Sequence, residues 1–173
     1  MNIAYTIAQN RGDTDLLLFN VAKTLGALGY KTAGTVQINT ERSADCRCDM
    51  DVQVLPAGQT IRISQSLGPG SKGCRLDPEA LETAVALVDA QIENGADVLI
   101  INKFGKHEAS GRGFRDAIAK ALSYGIPVLV GTNALNEAAF VSFSANIAQR
   151  LPADEAGLVQ WVQSHTGETA LVA

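Results

Sequence analysis

The chain has 173 residues, of which 46% are hydrophobic and 18% charged, and its formal net charge is −4. This length and composition predict a single soluble globular domain over residues 1–173 and exclude a disordered chain. The negative net charge argues against a general nucleic-acid binder, which would need a basic face. The longest apolar runs are far too short for a membrane span, so no membrane association is predicted.

Targeting signals and cysteines predict the compartment. Met1-Asn2-Ile3 leads straight into a strand-like run, without the basic region or cleavage site of a signal peptide. Cys46, Cys48 and Cys74 give an odd cysteine count, which is typical of a reducing cytoplasm. The Cys-x-Cys pair could bind a soft metal with Cys74 or sense oxidation. It lacks the second pair or added histidines of structural zinc sites, so no metal site is predicted.

The first elements predict a strand, a helix and a second strand. Ile3 to Ala8 is an apolar run typical of a buried strand. Asp13 is the predicted N-cap of a helix that continues to about Leu28, where Gly29 ends it. Thr32 to Ile38 then predicts the second strand, and together the three elements predict a βαβ unit.

A polar segment and a hairpin come next. Residues Asn39 to Asp49 are polar and carry no periodic pattern. Two short strands, Val52–Leu55 and Thr60–Ser64, are predicted to pair through the four-residue turn Pro56–Gln59. A second glycine-rich loop, Gln65–Arg75, follows the hairpin.

The second half alternates helices with buried strands. Asp77 followed by Pro78 predicts the start of a helix that reaches about Asn94. Val98–Ile101 is a fully apolar run that predicts a buried parallel strand. The later predicted elements are a helix over Gly113–Tyr124, a strand over Ile126–Val130, a helix over Ala134–Gln149 and a final helix from an Asp154 N-cap through Val162. This alternation predicts a three-layer α/β domain with a mainly parallel sheet and a small β-hairpin insertion.

The loop that follows Val98–Ile101 concentrates positive charge between glycines. Segments 68–77 and 102–115 together hold six of the 14 Lys and Arg residues. The cations of the second segment are Lys103, Lys106, Arg112 and Arg115, and its glycines are Gly105, Gly111 and Gly113. Loops at the carboxyl ends of parallel strands are where α/β proteins bind ligands, so the pattern predicts a small anionic ligand. The alternatives are a solvated basic face or a partner surface, and Asn102 either contacts the ligand or ties two loops together.

Two further segments are candidates for the same site. The loop before Asp77 offers Ser71, Lys72, Gly73 and Arg75 beside a helix N-terminus, where unpaired amides attract anions. An ordinary turn is the alternative, because Pro69 donates no N–H. In the first turn the candidates are Arg11, Gly12 and Thr14.

Longer motifs carry a family resemblance. The stretch IINKFGKHEASGRGFR, the later IPVLVGTN, the loop QSLGPGSKGCRLD and the strand AGTVQ resemble an uncharacterised bacterial domain family. That family is distantly related to P-loop nucleoside-triphosphatases of the thermophilic-NTPase type. The resemblance covers the whole chain and implies a P-loop-NTPase-like fold. In the related NTPases, a glycine-rich phosphate cradle ends in Lys-Thr, and a later strand ends in the acidic motif Asp-Glu-x-Gly-x-x-Glu.

This chain departs from both motifs. Its first loop, AQNRGDTD, has one glycine and no lysine before a hydroxyl residue, so Arg11 and Thr14 are at most partial stand-ins. Asn102 and Lys103 stand where the resemblance implies acids, whereas Gly105 and Glu108 keep the pattern. Glu108 is therefore the only carboxylate of the motif left to orient water. The chain is expected to be a degenerate nucleoside-triphosphatase at most.

The predicted function follows from these features. We expect the chain to bind a phosphate-bearing nucleotide, as an NTP with magnesium, or a related oxyanion, with weak or absent hydrolysis. The family's frequent association with molybdenum or tungsten genes implies a first alternative, a non-catalytic molybdate or tungstate carrier or sensor. A second alternative is a partner-docking module, and a homo-oligomer or a protein partner is also possible. His107 is a candidate acid–base group beside Glu108.

Overall fold

The computed structural model describes residues 2–10, 12–40, 49–65 and 76–167 of the chain. Its strands are β1 (Ile3–Thr6), β2 (Thr32–Thr40), β3 (Asp49–Val54), β4 (Thr60–Arg62), β5 (Val98–Ile101), β6 (Val128–Gly131) and β7 (Gln149–Leu151). Its helices are α1 (Asp13–Ala27), α2 (Pro78–Glu93), α3 (Lys106–Ala109), α4 (Arg115–Ser123), α5 (Glu137–Phe143) and α6 (Glu155–His165).

The strands form one sheet in the order β4-β3-β2-β5-β6-β1-β7. Five of them, from β2 to β7 in that order, are parallel, because each neighbouring pair among them is parallel. The predicted βαβ unit is present with a difference, since β5 and β6 lie between β1 and β2. The carboxyl ends of the five strands lie at one edge of the sheet.

Helices cover both faces of the sheet. One buried cluster joins α1 and α6 to one face, with Leu18, Leu25 and Leu158 fully buried. The other cluster joins α2, α4 and α5 to the opposite face, with Ile92 and Phe140 among its members. Complete burial of side chains of this size contributes roughly 1.5–3 kcal/mol each. The predicted three-layer α/β architecture is confirmed.

The predicted hairpin is present and lengthens the main sheet. β3 pairs antiparallel with β2 from Thr35↔Val54 to Thr40↔Asp49, and β4 pairs antiparallel with β3. The hairpin therefore forms one edge of the sheet. The polar segment before it and the glycine-rich loop after it lie mostly outside the described residues.

The start of α1 corrects the predicted N-cap. The N-cap is Gly12, at φ 91°, and Asp13 is the first helical residue. A left-handed backbone at the cap suits glycine, which has no Cβ to clash. In contrast, the two other predicted Asp N-caps are confirmed. The Asp77 side chain accepts hydrogen bonds from the Glu79 and Ala80 amides, and the Asp154 side chain accepts one from the Gly157 amide.

Two predicted helices are shorter than expected. The helix predicted to begin at Gly113 begins at Arg115, and a separate short helix, α3, precedes it. Glycine at φ 62° in position 113 is incompatible with a helical turn. The helix predicted over Ala134–Gln149 is confined to Glu137–Phe143, and Gln149–Leu151 is instead a strand. Positive φ angles at Ala145 and Asn146 end that helix.

None of the helices in the described residues is both long enough and apolar enough to cross a membrane.

Candidate anion site at the carboxyl edge of the sheet

The loops that leave β1, β5, β6 and β7 meet at the carboxyl edge of the sheet. Neighbouring strands lie about 4.8 Å apart, so the exits of β1 and β5, with β6 between them, are separated by roughly 10 Å. The structure therefore brings the first turn and the 102–115 loop to the same edge. Five of the predicted site residues, Arg11, Ser71, Lys72, Gly73 and Arg75, lie outside the described residues, as do Cys46, Cys48 and Cys74.

Hydrogen bonds within the first turn hold its shape. The Ala8 amide donates to Thr14 Oγ1 over 3.0 Å, so this hydroxyl closes the turn between β1 and α1. Asn10 Nδ2 donates to Asp13 Oδ2 over 2.8 Å. Thr14, predicted as a ligand residue, thus already has a structural partner through its side chain.

The first turn of α1 is acidic. It carries Asp13, which is exposed, and Asp15, which is buried. Acidic side chains at a helix N-terminus stabilise the helix, and they also reduce the positive potential that an anion would meet there. The letters GDTD show both acids, of which Asp13 was predicted only as an N-cap and Asp15 was not predicted to be part of the site.

An open depression of about 460 Å³ adjoins this turn. The described residues that line it are Ile7, Ala8, Gln9, Asn10, Asp13, Leu17 and Ala153. Asp13 is the single charged residue among these seven. The described lining therefore combines apolar side chains with two carboxamides and one carboxylate.

Asn102 links the end of β5 to α1. Its side chain is 2% exposed, and Nδ2 donates to Asp15 Oδ1 over 2.7 Å. This geometry favours a structural role for Asn102, as an amide that ties two loops together, over contact with a ligand. The other amide atom, Asn102 Oδ1, is buried and accepts no hydrogen bond within the described residues.

Glu108 braces the 102–115 loop from inside. Its carboxylate is buried, and Oε2 accepts from the Gly105 amide over 2.9 Å, which caps the short helix α3. Gly113 lies against the same carboxylate so closely that a Cβ there would overlap Oε1. A glycine is therefore required at position 113, both by this contact and by its φ of 62°. The predicted role of Glu108 in orienting water remains a prediction.

The exit loop of β6 supports the same region. The Phe104 amide donates to Gly131 O over 2.7 Å, and Thr132 Oγ1 donates to Phe104 O over 2.9 Å. The Phe104 ring is fully buried and packs against Phe140 and Phe143. The backbone of the loop is consequently held at its start as well as at α3.

The four cations of the loop fall into two groups. The Arg115 guanidinium donates to Glu108 O over 3.3 Å and lies 4.4 Å above the Phe143 ring, so it packs against the loop itself. Lys103, Lys106 and Arg112 are exposed, and their side chains form no hydrogen bond or ion pair within the described part of the chain. We call these three residues the cation triplet.

His107 lies on the inner side of the loop. Its Nε2 is 3.8 Å from Glu82 Oε1 on α2, and Gly113 packs against its ring. The Glu108 carboxylate bonds instead to the Gly105 amide, so the predicted partnership of His107 with Glu108 has no hydrogen bond in this geometry. Across the described residues, no three His, Cys, Asp or Glu side chains group as metal ligands.

Residues 3–161 match a family model described as a protein of unknown function, DUF2478. The chain belongs to this family. It is also 35% identical, over 159 residues, to the molybdenum import ATP-binding protein ModC 2 of Bradyrhizobium diazoefficiens. That similarity covers 92% of this chain and 18% of the relative, so the chain corresponds to a small part of a much longer protein.

Two solved structures share the fold. One is a human cancer-related nucleoside triphosphatase, with a TM-score of 0.63, 18% identity and 95% of each chain covered. The other is THEP1 of the hyperthermophile Aquifex aeolicus, with a TM-score of 0.63, 16% identity, and 95% and 96% of the two chains covered. The predicted P-loop-NTPase-like fold is confirmed.

Proposed function

We propose that the chain binds a phosphate-bearing nucleotide or a related oxyanion at the carboxyl edge of its sheet, with weak or absent NTP hydrolysis. The cation triplet is the observation that carries this proposal. Three exposed cations without partners in the described residues, on a loop braced by Glu108 and Phe104, offer charge and donors to an anion. The fold shared with nucleoside triphosphatases supports the nucleotide form.

Three features of the chain argue against fast hydrolysis. The first loop, AQNRGDTD, has no lysine before a hydroxyl residue, whereas the phosphate cradle of the related NTPases ends in Lys-Thr. Asn102 stands in place of an acid, and its Nδ2 is bonded to Asp15, so the residues present do not fit the magnesium site of those NTPases. Glu108 is engaged by the Gly105 amide. The enzyme class, if any, is a degenerate nucleoside-triphosphatase in which Glu108 orients water.

Ligand-induced thermal stabilisation tests the proposal. The panel is ATP and GTP with and without magnesium, phosphate, sulfate, molybdate and tungstate. A ligand at 100 times its Kd stabilises the folded state by about 2.7 kcal/mol, which corresponds to a melting-point rise of roughly 5–10 °C for a chain of this size. We expect a shift with at least one anion, and we expect Lys103→Ala and Arg112→Ala to abolish it.

Lys23→Ala is the matched control for those two variants. Lys23 is an exposed cation on α1, ten residues and about 15 Å along the helix from its start at the carboxyl edge. Its removal lowers the net positive charge equally and should leave the stabilisation intact. The proposal is wrong if no anion raises the melting point, or if Lys23→Ala reduces the shift as much as Lys103→Ala does.

A molybdate or tungstate carrier or sensor is the second candidate. The observation that favours it is the 35% identity to a protein named for molybdenum import, of which this chain matches a small part. In that case molybdate and tungstate would compete with phosphate, and adenine or guanine would add nothing to the affinity. A partner-docking module in the cytoplasm is the third candidate, and a partner or a second copy would then cover the cation triplet.

A further inference from the structure

The charge distribution along the carboxyl edge is uneven. The cation triplet belongs to the loop after β5, whereas the first turn of α1, after β1, carries Asp13 and Asp15. The two loops are separated by roughly 10 Å, the width of two strand spacings. Among the described residues, an anion held by the triplet therefore has the carboxylates of this region beside it.

Asp13 is the accessible part of that region. Its side chain is exposed, and it is the single charged residue among the seven described residues that line the 460 Å³ depression. Asn10 Nδ2 donates to its Oδ2 over 2.8 Å. This hydrogen bond holds the Asp13 carboxylate beside the N-terminus of α1. Asp15 is buried and bonded to Asn102, so it is less accessible to a ligand.

The size of the ligand decides whether it meets this carboxylate. A tetrahedral oxyanion or one phosphate group is about 5 Å across and fits beside the triplet alone. A chain of three phosphates extends roughly 8 Å or more and would bring its second or third phosphate towards the first turn of α1. Repulsion between unit charges about 6 Å apart amounts to roughly 1 kcal/mol in a largely solvated site.

We propose that Asp13 determines the ligand class, restricting the site to a single phosphate group or tetrahedral oxyanion by repelling polyphosphate from the N-terminus of α1. This inference rests on the proposed function, because it assumes that the cation triplet holds the anion. It adds to that function the distinction between monophosphates or oxyanions and triphosphates. Asp13 acts here as a specificity-determining residue through its charge.

Asp13→Asn tests the inference, because asparagine retains the size of the side chain and an oxygen that can accept from Asn10. Titration calorimetry without magnesium would measure the affinities of orthophosphate and tripolyphosphate for both proteins at low ionic strength. We expect Asp13→Asn to bind tripolyphosphate about three- to tenfold more tightly, and orthophosphate within twofold of the unsubstituted protein. At an ionic strength of about 0.5 M the gain should shrink, because salt screens exposed charges.

Glu93→Gln is the control for net charge. Glu93 is an exposed acid at the last residue of α2, shortly before β5 begins at Val98, so it lies near the amino end of the strands and away from the carboxyl edge. Its substitution removes one negative charge and should leave both affinities unchanged. The inference is overturned if Asp13→Asn leaves tripolyphosphate affinity unchanged or weakens it, or if Glu93→Gln strengthens it equally.

The same experiment separates this inference from the proposed function. If Lys103→Ala abolishes orthophosphate binding while Asp13→Asn changes nothing, the anion site stands and the role of Asp13 is wrong. If orthophosphate does not bind but Asp13→Asn gains tripolyphosphate binding, the triplet site is wrong and the repulsion by Asp13 stands. Absence of binding by every variant overturns both.

Discussion

Gly34 lets two central strands approach each other. It lies on β2 at φ 113°, and a Cβ at this position would overlap Ile100 O on β5. The side chain of Gln91, on α2, forms hydrogen bonds with the backbone near this position. Its Oε1 accepts from the Gly34 amide, and its Nε2 donates to Leu55 O. Both the backbone conformation and the lack of space therefore require glycine.

We expect Gly34→Ala to lower the free energy of unfolding by about 3 kcal/mol or more, measured by urea denaturation, because strain and steric overlap add at this position. Gly26→Ala is the matched control, since Gly26 lies in α1 with no atom within 4 Å of an added Cβ. That substitution should stabilise by about 0.5–1 kcal/mol, as alanine favours helix. Equal effects of the two substitutions would refute the packing argument.

The end of α5 shows how backbone strain limits an element. The chain after Ser144 passes through Ala145 at φ 51° and Asn146 at φ 62° before it enters β7. Asparagine tolerates the left-handed region, whereas a left-handed alanine is unfavourable by about 1 kcal/mol.

Ala145→Gly should therefore raise the free energy of unfolding by about 0.5–1 kcal/mol. Ala138→Gly, an exposed position inside α5, is the opposite control and should lower it by a similar amount. Chemical denaturation of the two variants would measure both changes in the free energy of unfolding. Destabilisation by both glycines would mean that the backbone at Ala145 is unstrained.

Tyr5 joins three elements at the β7 side of the sheet. Its hydroxyl donates to Glu137 Oε1 over 2.9 Å, and Arg150 Nη1 donates to the same oxygen over 2.9 Å. Burial raises the pKa of Tyr5 above its ordinary value, and the hydrogen bond and charge of Glu137 raise it further. Since the folded protein then binds the phenolic proton more tightly than the unfolded chain, the stabilisation is complete below about pH 10 and is lost as pH rises through the folded pKa.

We therefore expect the free energy of unfolding to fall as the pH rises above about 10, and to fall less steeply in Tyr5→Phe. The measurement is urea denaturation at a series of pH values on both sides of 10, with absorbance titration of the phenols as a second readout. Tyr124→Phe is the control, because Tyr124 is 58% exposed. An unchanged slope in Tyr5→Phe would contradict the assignment.

At the scale of the whole molecule, the single sheet connects both core clusters. β5 and β6 contribute alternate residues to the two faces, such as Ile100 to one and Ile101 to the other. If the helices on either face of the sheet undock, β5 and β6 lose packing contacts on that face. The single-domain prediction for residues 1–173 thus implies cooperative unfolding.

The fluorescence of Trp161 can be used to measure whether unfolding is cooperative. Trp161 is the one tryptophan of the chain and lies on α6 near the β7 edge. Its Nε1 donates to Gln149 Oε1 over 3.2 Å, so its fluorescence reports the docking of α6 on that edge. We expect its urea transition to coincide with that of far-UV circular dichroism, with an m-value of about 2–3 kcal/mol per M. Separate transitions would show that the chain unfolds in more than one unit.

Local signals in the sequence determined most of the elements. The apolar run Val98–Ile101 is a strand with the predicted bounds, and Asp77 and Asp154 cap their helices as expected. These features depend on neighbours within a few residues, since capping and burial periodicity are local. The alternation of strands and helices predicted a three-layer α/β domain, and the family motifs narrowed this to a P-loop-NTPase-like fold.

The tertiary structure decided which of the predicted site residues are available. Asn102 meets Asp15 across 87 residues of sequence, and Arg115 turns inward onto Glu108 and Phe143. The order of the strands brings those partners together, and no local pattern encodes that order. For the same physical reason, only the folded chain distinguishes Lys103, Lys106 and Arg112, which face solvent, from a fourth cation of the same loop that packs against it.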